Sequence, residues 1–457
     1  MDNEVTMSTP TTSETPTTTA TFAHDEANPA HPDGPANPTK LPDLTSYTGE
    51  ILSHPSPDRV IPQAIAHLAP SAIRAFDAEV SRIPDIIKLT LGEPDFPTPQ
   101  FIKQAAVRAL EANRTHYAPN AGTEGLRTAI SAYLSRRRGL DILPNRIIVT
   151  TGASEALSST LGTLLEAPGA ELIEFTPAFG QYASLARIHG AKLTAIDTTS
   201  NEFRPDPAAL DRVLGQTRGP AVVILNSPSN PTGTVLNEDE LRDLARVIDR
   251  HGAIAVSDEV YAEISFENRP APSIAKFIPE RTVVIDSTSK TYAMTGWRLG
   301  WLAAPEWLAP AILKYHQLAV SCAATFSMDA AQEAYEHGDD AIDEMVEEYR
   351  RRRDFLARAL NAAGYRTVNP QGAFYLYVRA PERYANGLEF ARDLAQRTKV
   401  AAIPGTAFAA GPSPYVRFSY AASLDTLHQA ADRIRAFADR QDNNRQTADP
   451  THRSVHS

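Results

Sequence analysis

The sequence has very little cysteine, no long apolar run and no excess of positive charge. The single cysteine, Cys322, excludes an intramolecular disulfide and a metal site built from several cysteines, and it fits a reducing compartment. No apolar stretch approaches the roughly 20 residues that span a bilayer. The formal net charge of −11 argues against a surface made chiefly for nucleic acid or for an anionic membrane. We therefore expect no metal, no membrane and no nucleic-acid partner.

What the chain does contain is the composition of an ordinary globular protein. Of its 457 residues, 42% are hydrophobic and 22% are charged, and this length supports a large core divided over two domains. Residues 1–45 are rich in Thr, Pro and Ser, with hardly any large apolar side chain, and we predict that they are disordered. We predict the same for residues 441–457. Because the amino terminus lacks the basic and apolar segments of a secretory signal, we expect a cytoplasmic protein.

Between these tails, short β-branched segments alternate with amphipathic helical patterns. Several of the segments are apolar on both faces, as in strands covered by helices on both sides: ELIEFTP, AVVILN, AIAVSDE and TVVIDS. This alternation predicts an α/β fold with a large, wound, mainly parallel sheet over residues 91–310.

The pattern changes after about residue 310. Long helical patterns cover residues 310–337 and 341–363, short strands follow at GAFYLYV, VAAIP and YVRFSYA, and a closing helix begins near Leu424. We predict a smaller α+β domain over residues 311–440, with residues 46–90 as an amino-terminal arm and a part of that domain.

The segment DSTSKTYAMTGWRLGW, residues 286–301, places hydroxyls and two cations behind a predicted strand. Ser287 and Ser289 would face the same side if the extended geometry continues. Lys290 and Arg298 would repel each other unless an anion lies between them. Because loops at the carboxyl ends of wound sheets hold ligands, these donors suit a phosphate ester. An unrelated surface lysine and arginine is the alternative.

A second anion site is predicted at TTGASEAL, residues 150–157, where a strand passes into a helix. Gly152, Ala153 and Ser154 would present free backbone N–H groups at the positive end of the helix dipole. The alternative is that Ser154 caps the helix and that the small residues only ease a tight turn.

Further strand ends carry residues that suit a flat heteroaromatic ring. The carboxylate of Asp258 is costly at the end of an apolar strand unless a cation, such as a protonated ring nitrogen, meets it. Tyr261 could donate to a phenolate oxygen on the same ring, and Phe179 could stack on it. Asn230 lies in the turn NSPSNPTG. Taken singly, each has a structural alternative: an ion pair, a turn asparagine or a core phenylalanine.

Together these segments occur in the order and at the spacing of a known family. The chain resembles the class I/II aminotransferases of fold type I over roughly residues 60–440, in the segments GEPDFPTP, YAPNAGTEGLR, NSPSNPTG, SDEVY, STSKTYAMTGWRLG and YVRFSYA. The pattern S-x-S-K-x₇-R, with NPTG about 60 residues upstream, is highly specific. The resemblance implies a pyridoxal 5′-phosphate (PLP) enzyme that moves an amino group between an amino acid and a 2-oxo acid, with 2-oxoglutarate as the expected acceptor, by a ping-pong mechanism.

The resemblance also implies a role for each matching residue. Lys290 would form the Schiff base and shuttle the proton between the substrate Cα and the cofactor C4′, and Asp258 would keep the ring nitrogen protonated. The phosphate would be bound by Gly152, Ala153, Ser154, Ser287, Ser289 and Arg298. The ring would be met by Phe179, Asn230 and Tyr261, and the substrate carboxylate by Gly92, Asn230 and Arg417.

Two more features follow from the resemblance. Tyr117 matches a tyrosine that reaches the phosphate of the neighbouring subunit, which implies a homodimer with shared active sites. Family structures often have cis peptide bonds before the matching prolines, so we expect Asn230–Pro231 and Thr176–Pro177 to be cis.

The amino donor is less defined. Many bacterial aspartate aminotransferases of this subgroup have a lysine where Ser154 stands, whereas VTTGASEAL, DTTSNEF and HQLAVSCAA resemble aminotransferases that act on N-acetyl-LL-diaminopimelate. Both donors are retained as hypotheses. C–S lyases and decarboxylases share the fold. A PLP-binding transcription factor is disfavoured, because residues 1–45 are too short, too polar and not basic enough for a DNA-binding module.

Overall fold

The computed structural model describes residues 61–267 and 270–448, with side chains as far as residue 440. By its contacts the chain divides after Ile61, and every element below belongs to the unit that follows. The disorder predicted for residues 1–45 lies outside the described residues. Of the tail predicted for residues 441–457, residues 441–448 continue the last helix and the remainder lies outside the description.

The strands are short and are numbered in chain order. They are β1 Ile87–Lys88, β2 Ile147–Thr150, β3 Glu171–Thr176, β4 Lys192–Asp197, β5 Ala221–Asn226, β6 Ile254–Asp258, β7 Thr282–Ser287, β8 Gly300–Ala303, β9 Arg366–Thr367, β10 Tyr375–Arg379, β11 Val400–Ala401, β12 Ile403–Pro404 and β13 Tyr415–Ser419.

The α-helices alternate with the strands in the first part of the chain and then lengthen. They are α1 Gln63–Ala66, α2 Ala72–Val80, α3 Gln100–Glu111, α4 Glu124–Arg138, α5 Ala153–Leu165, α6 Gln181–Ile188, α7 Pro207–Leu214, α8 Glu238–Arg250, α9 Thr288–Thr291, α10 Ala309–Val320, α11 Thr325–His337, α12 Asp339–Ala362, α13 Gly387–Thr398 and α14 Leu424–Ala448. No helix in this described part of the chain is both long and apolar enough to cross a membrane.

The large sheet has seven strands in the order β2-β8-β7-β6-β5-β3-β4. The pairs among β3 to β7 are parallel, and β8 runs antiparallel to both of its neighbours. Side chains of β5 alternate between two cores: Val222 and Ile224 pack on one face of the sheet, and Val223 and Leu225 on the other. The predicted α/β fold with a wound, mainly parallel sheet is confirmed.

A smaller antiparallel sheet follows, in the order β12-β13-β10-β9, and β1 pairs in parallel with β11. Helix α2 packs against β12, and α12 packs against α14. The prediction of one helical segment over residues 310–337 was wrong. Ser321 adopts a positive φ of 64°, which ends α10, and α11 begins at Thr325. The domain boundary at residue 310 stays a prediction.

The register of the large sheet brings polar strand ends together. Asn226 on β5 lies opposite Asp258 on β6, and Asp258 lies opposite Ile285, two residues before the end of β7. Since carboxyl ends of parallel strands meet at one edge, the segments after β5, β6 and β7 converge there. The smaller sheet adds Arg417, on β13, to the same place.

Candidate active site

A cleft of about 290 Å³ lies at this edge of the large sheet, with residues of the smaller sheet among its walls. The residues predicted from the sequence that line it are Gly92, Ala153, Ser154, Phe179, Asn230, Asp258, Tyr261, Ser287, Ser289, Lys290, Arg298 and Arg417. Gly152 lies directly before Ala153. Tyr117 does not line the cleft, and its side chain is 90% exposed.

One end of the cleft is built from the start of α5 and from Arg298. Gly152 precedes the helix with a positive φ of 84°, and a Cβ there would lie 2.6 Å from Nη2 of Arg298. Only glycine therefore lets the guanidinium approach the helix amino terminus this closely. In the described residues Arg298 has no carboxylate partner and donates to the carbonyl oxygens of Thr295, at 2.9 Å, and Thr151, at 3.4 Å.

This end fits a phosphate group, because free backbone N–H groups, a helix dipole and an unneutralised guanidinium meet there. The alternative in which Ser154 caps the helix does not hold. Gly152 occupies the cap position, and Ser154 lies in the first turn.

Ser287 and Ser289 also line the cleft, but not for the reason that the sequence suggested. Strand β7 ends at Ser287 and α9 begins at Thr288, so the extended geometry does not continue. The hydroxyl oxygen of Ser287 instead accepts a hydrogen bond from the backbone N–H of Ser289, at 3.3 Å.

Lys290 lies on α9 with its amine inside the cleft. Its Nζ donates to the carbonyl oxygen of Gly92, at 2.6 Å. Burial lowers the pKa of this amine to about 8, with the positive charges of Arg298 and Arg417 acting in the same direction. The negative charges of Glu93 and Asp258 raise the pKa of Lys290 and offset only part of this decrease. A large fraction of the amine is thus neutral near pH 8, as a nucleophile or base requires.

Asp258 ends β6 and is only 5% exposed. The hydroxyl of Tyr182 donates to its Oδ2, at 2.6 Å, and the backbone N–H of Val260 lies 3.4 Å from Oδ1. Burial raises the pKa of Asp258 to about 6, and both hydrogen bonds act against that shift. A cation opposite this carboxylate would favour its charged form.

Sequence reasoning missed Tyr182. It stands on α6, three residues after Phe179, and the two rings meet edge to face with centroids 5.8 Å apart. The motif FTPAFGQY contained a signal, since the turn before α6 brings the two residues together: the backbone N–H of Tyr182 donates to the carbonyl oxygen of Phe179, at 3.2 Å.

Tyr375 was also missed. Its hydroxyl lies 2.6 Å from that of Tyr261, across 114 residues of chain. A Cβ at Gly92 would clash with this hydroxyl oxygen unless Tyr375 shifted. Tyr375 therefore packs closely against Gly92, whose carbonyl oxygen accepts the hydrogen bond from Lys290.

Arg417 differs from Arg298 in burial: Arg417 is only 1% exposed, whereas Arg298 is exposed. Its Nη1 donates to Oδ1 of Asn230, at 2.8 Å, and its Nη2 to the carbonyl oxygen of Thr90, at 2.7 Å. The guanidinium stands 4.3 Å from the ring centroid of Tyr375. Burial lowers its pKa, and the described residues offer it no carboxylate. A buried cation without a counter-charge suits an anionic ligand.

Asn230 lies in a turn that the neighbouring strands fix. Its backbone N–H donates to Oδ1 of Asn226, at 2.8 Å, and the Asn226 amide donates to the carbonyl oxygen of Asp258, at 3.0 Å. The cis bonds predicted at Asn230–Pro231 and Thr176–Pro177 are confirmed, and Ser227–Pro228 is cis as well.

Comparisons with known proteins agree with this geometry. The family described as aminotransferase class I and II matches residues 84–434. The chain is 39% identical over 368 residues to a probable N-acetyl-LL-diaminopimelate aminotransferase of Bacillus subtilis, covering 80% of this chain and 93% of that protein. It is 38% identical over 371 residues to an aspartate aminotransferase of Pyrococcus abyssi, covering 80% and 95%.

A solved structure is similar over the same region. The aspartate aminotransferase from Thermus thermophilus with maleate has a TM-score of 0.77 and 34% identity to this chain, and the match covers 82% of this chain and 99% of that one.

Proposed function

This chain belongs to the class I and II aminotransferases, and on that premise we propose that it transfers an amino group from an amino acid to 2-oxoglutarate by a ping-pong mechanism. The chain is a transaminase, its cofactor is PLP, and its substrates are an amino acid and a 2-oxo acid. The observation that carries the proposal is that one cleft is lined by an amine of lowered pKa and by the guanidiniums of Arg298 and Arg417, which have no carboxylate partner in the described residues.

The residues present fit this cofactor. The cradle at Gly152 and Arg298 suits its phosphate, and a Cβ at position 152 would fill that cradle. The buried carboxylate of Asp258 suits its ring nitrogen, and Lys290 supplies the amine. When bound, PLP supplies an aldehyde that condenses with amino groups and a protonated ring that withdraws electrons.

Lys290 is the residue that we assign to proton transfer. With PLP bound, its Nζ would carry a proton between the substrate Cα and the cofactor C4′. The pKa of about 8 allows both steps near neutral pH, because neither the neutral nor the charged amine is rare there. The hydrogen bond to the carbonyl of Gly92 orients the amine within the cleft.

Asp258 holds the proton on the ring nitrogen. Its carboxylate is buried, so it interacts strongly with a cation. The hydroxyl of Tyr182 orients Oδ2 and favours the charged form, which this pairing needs. Tyr261 and Asn230 would donate to the ring oxygen, and Phe179 would stack on the ring; all three line the cleft.

The substrate α-carboxylate is bound by Arg417. A planar guanidinium can meet a carboxylate with two parallel hydrogen bonds, and Arg417 is held in place by Asn230 and by the carbonyl of Thr90. The glycine at position 92 adds a backbone contact to the same group. The phosphate is bound by the backbone of residues 152–154 together with Ser287, Ser289 and Arg298.

The proposed assembly is a homodimer. Tyr117 is 90% exposed and lies away from its own cleft, which leaves it free to serve the phosphate of a second subunit. Sedimentation of the PLP-loaded protein tests the oligomeric state, and a monomer that turns over normally would contradict shared active sites.

The proposed donors are aspartate and N-acetyl-LL-diaminopimelate, which the relatives' names and the motifs favour. A donor screen with 2-oxoglutarate as acceptor, including both, is the direct test. It is read by glutamate formation, with Lys290→Ala as the inactive control. Addition of the amino acid alone should convert the cofactor from its aldehyde to its amine form. Release of pyruvate and ammonia from cystathionine, an amino acid with a C–S bond, would instead indicate a C–S lyase.

A further inference from the structure

Arg74 is the cleft-lining cation to which the proposed function gives no role. The positively charged residues along the cleft are Arg74, Lys290, Arg298 and Arg417. Arg74 lies in the first turn of α2, where its backbone N–H is 3.5 Å from the hydroxyl oxygen of the capping Ser71. Its side chain is exposed, and Ser71 and Ile73 line the cleft beside it.

The acidic residues of α2 are paired elsewhere. Asp77, three residues after Arg74, is 3.2 Å from Nζ of Lys88, and Glu79 is 2.8 Å from Nε of Arg392. Within residues 61–267 and 270–440, the guanidinium of Arg74 makes no hydrogen bond or ion pair. An arginine three residues before an aspartate would ordinarily pair with it along the helix. Arg74 is thus left available to an anion in the cleft.

Helix α2 is tied directly to the residue that binds the α-carboxylate. The hydroxyl of Thr90 donates to Oδ1 of Asp77, and the carbonyl oxygen of Thr90 accepts from Nη2 of Arg417, at 2.7 Å. The helix also packs against β12, where Ile403 is the register partner of Arg417. The helix that carries Arg74 is therefore connected to Arg417 through Asp77 and Thr90, and both arginines line the cleft.

We propose that Arg74 binds the second carboxylate of a dicarboxylic substrate whose α-carboxylate is bound by Arg417. This inference rests on the proposed function and assigns a residue to the second carboxylate of its substrates. Aspartate, glutamate and acetylated diaminopimelate all have this feature.

The first test measures binding without turnover. Calorimetry on the PLP-loaded protein compares maleate, a dicarboxylate that carries no amino group, with cis-2-butenoate, which lacks its second carboxylate. Arg74→Ala should weaken maleate binding by about 10- to 100-fold, the loss expected for a hydrogen bond to a charged group. Arg82→Ala removes an exposed arginine just after the same helix, outside the cleft, and should bind maleate like the wild type. Equal maleate affinity in all three proteins would overturn the proposal.

The second test uses catalysis. Glutamate and norvaline differ in that a methyl group replaces the second carboxylate. Arg74→Ala should lower kcat/KM for glutamate by about 10- to 100-fold and that for norvaline by less than about threefold. Arg74→Lys keeps the charge but loses the planar fork of the guanidinium. Its kcat/KM for glutamate should lie between those of the wild type and of Arg74→Ala. An equal loss with both donors, or none with either, would overturn the role of Arg74.

These outcomes separate the inference from the function on which it rests. If the wild type transaminates neither donor, the proposed function fails, while the maleate measurement still reports on Arg74. If the wild type prefers norvaline, or does not distinguish the two donors, transamination stands and the dicarboxylate inference is refuted.

Discussion

The two ends of the cleft are built in different ways. The phosphate end is made largely of backbone groups and of segments in which the important residues are neighbours, such as residues 152–154 and 287–290. The carboxylate end is made of side chains from distant segments: Arg417 reaches Asn230 across 187 residues and Thr90 across 327. The first end also meets solvent at Arg298, whereas Arg417 is buried.

This difference has a physical consequence. Backbone N–H groups and a helix dipole suit any phosphate ester, so in the proposed function the first end binds the cofactor and does not select the substrate. The guanidiniums of Arg417 and Arg74 are positioned by tertiary contacts. In the proposals above they determine which amino acid binds. We expect substitutions at the two ends to separate cofactor affinity from substrate selectivity.

The largest effect is expected at Lys290, because the cofactor and the substrate would both react at this amine. Lys290→Ala should still bind PLP, because the phosphate cradle is intact, but turnover should fall by about 10²- to 10⁴-fold or more. Single-turnover absorbance measurements with glutamate give the rate. Normal turnover by this variant would exclude Lys290 as the proton carrier.

At the carboxylate end, Arg417→Lys should raise KM for every amino donor by about 100-fold. One ammonium cannot reproduce the planar fork, and the hydrogen bonds to Asn230 and Thr90 are partly lost. The affinity for PLP should change little, and fluorescence titration of the apoprotein measures it. An unchanged KM would place the α-carboxylate elsewhere.

At the phosphate end, Gly152→Ala should weaken PLP binding by about 10-fold or more, because the new Cβ would lie 2.6 Å from Arg298 and the positive φ is strained. Gly139→Ala is the matched control. It shares a positive φ, at 60°, but a Cβ there would meet nothing within 4 Å. The ratio of kcat/KM values for glutamate and norvaline should stay at its wild-type value in both variants. A changed ratio in Gly152→Ala would contradict the division between the two ends.

The smallest effect is expected at Tyr182. Its hydrogen bond lowers the pKa of Asp258, which burial alone raises, so Tyr182→Phe should raise that pKa further above 6. The catalytically useful form of Asp258 is the charged one, so activity is lost as pH falls through this pKa. The acidic limb of the kcat/KM profile should therefore move to higher pH by about one unit, with little change above pH 8. An unmoved limb would show that Tyr182 does not act through Asp258.

The same contrast explains what could be predicted from the sequence. Short motifs at the ends of apolar strands contain Lys290, Asp258 and Asn230. A run of apolar residues followed by polar ones can be recognised in the sequence alone. The hydroxyl of Tyr375 and the carbonyl of Thr90 contact Tyr261 and Arg417, which lie more than 100 residues away, and nothing in their own segments marks them.

Local geometry was predicted less well than topology. The pairing of Ser287 and Ser289 in the cleft was foreseen, but through extended backbone rather than through the turn that starts α9. The break at Ser321 escaped prediction because the apolar pattern continues across it, and only the positive φ of that residue interrupts the helix.

One measurement tests the arrangement at the centre of the cleft most directly. Borohydride treatment of the PLP-loaded protein fixes the cofactor to the amine that holds it, and peptide mass spectrometry then locates the label. We predict a single phosphopyridoxyl group on Lys290, and loss of that label when an amino donor is added before reduction. A label on any other lysine, or no label on a protein that is active with PLP, would contradict the assignment.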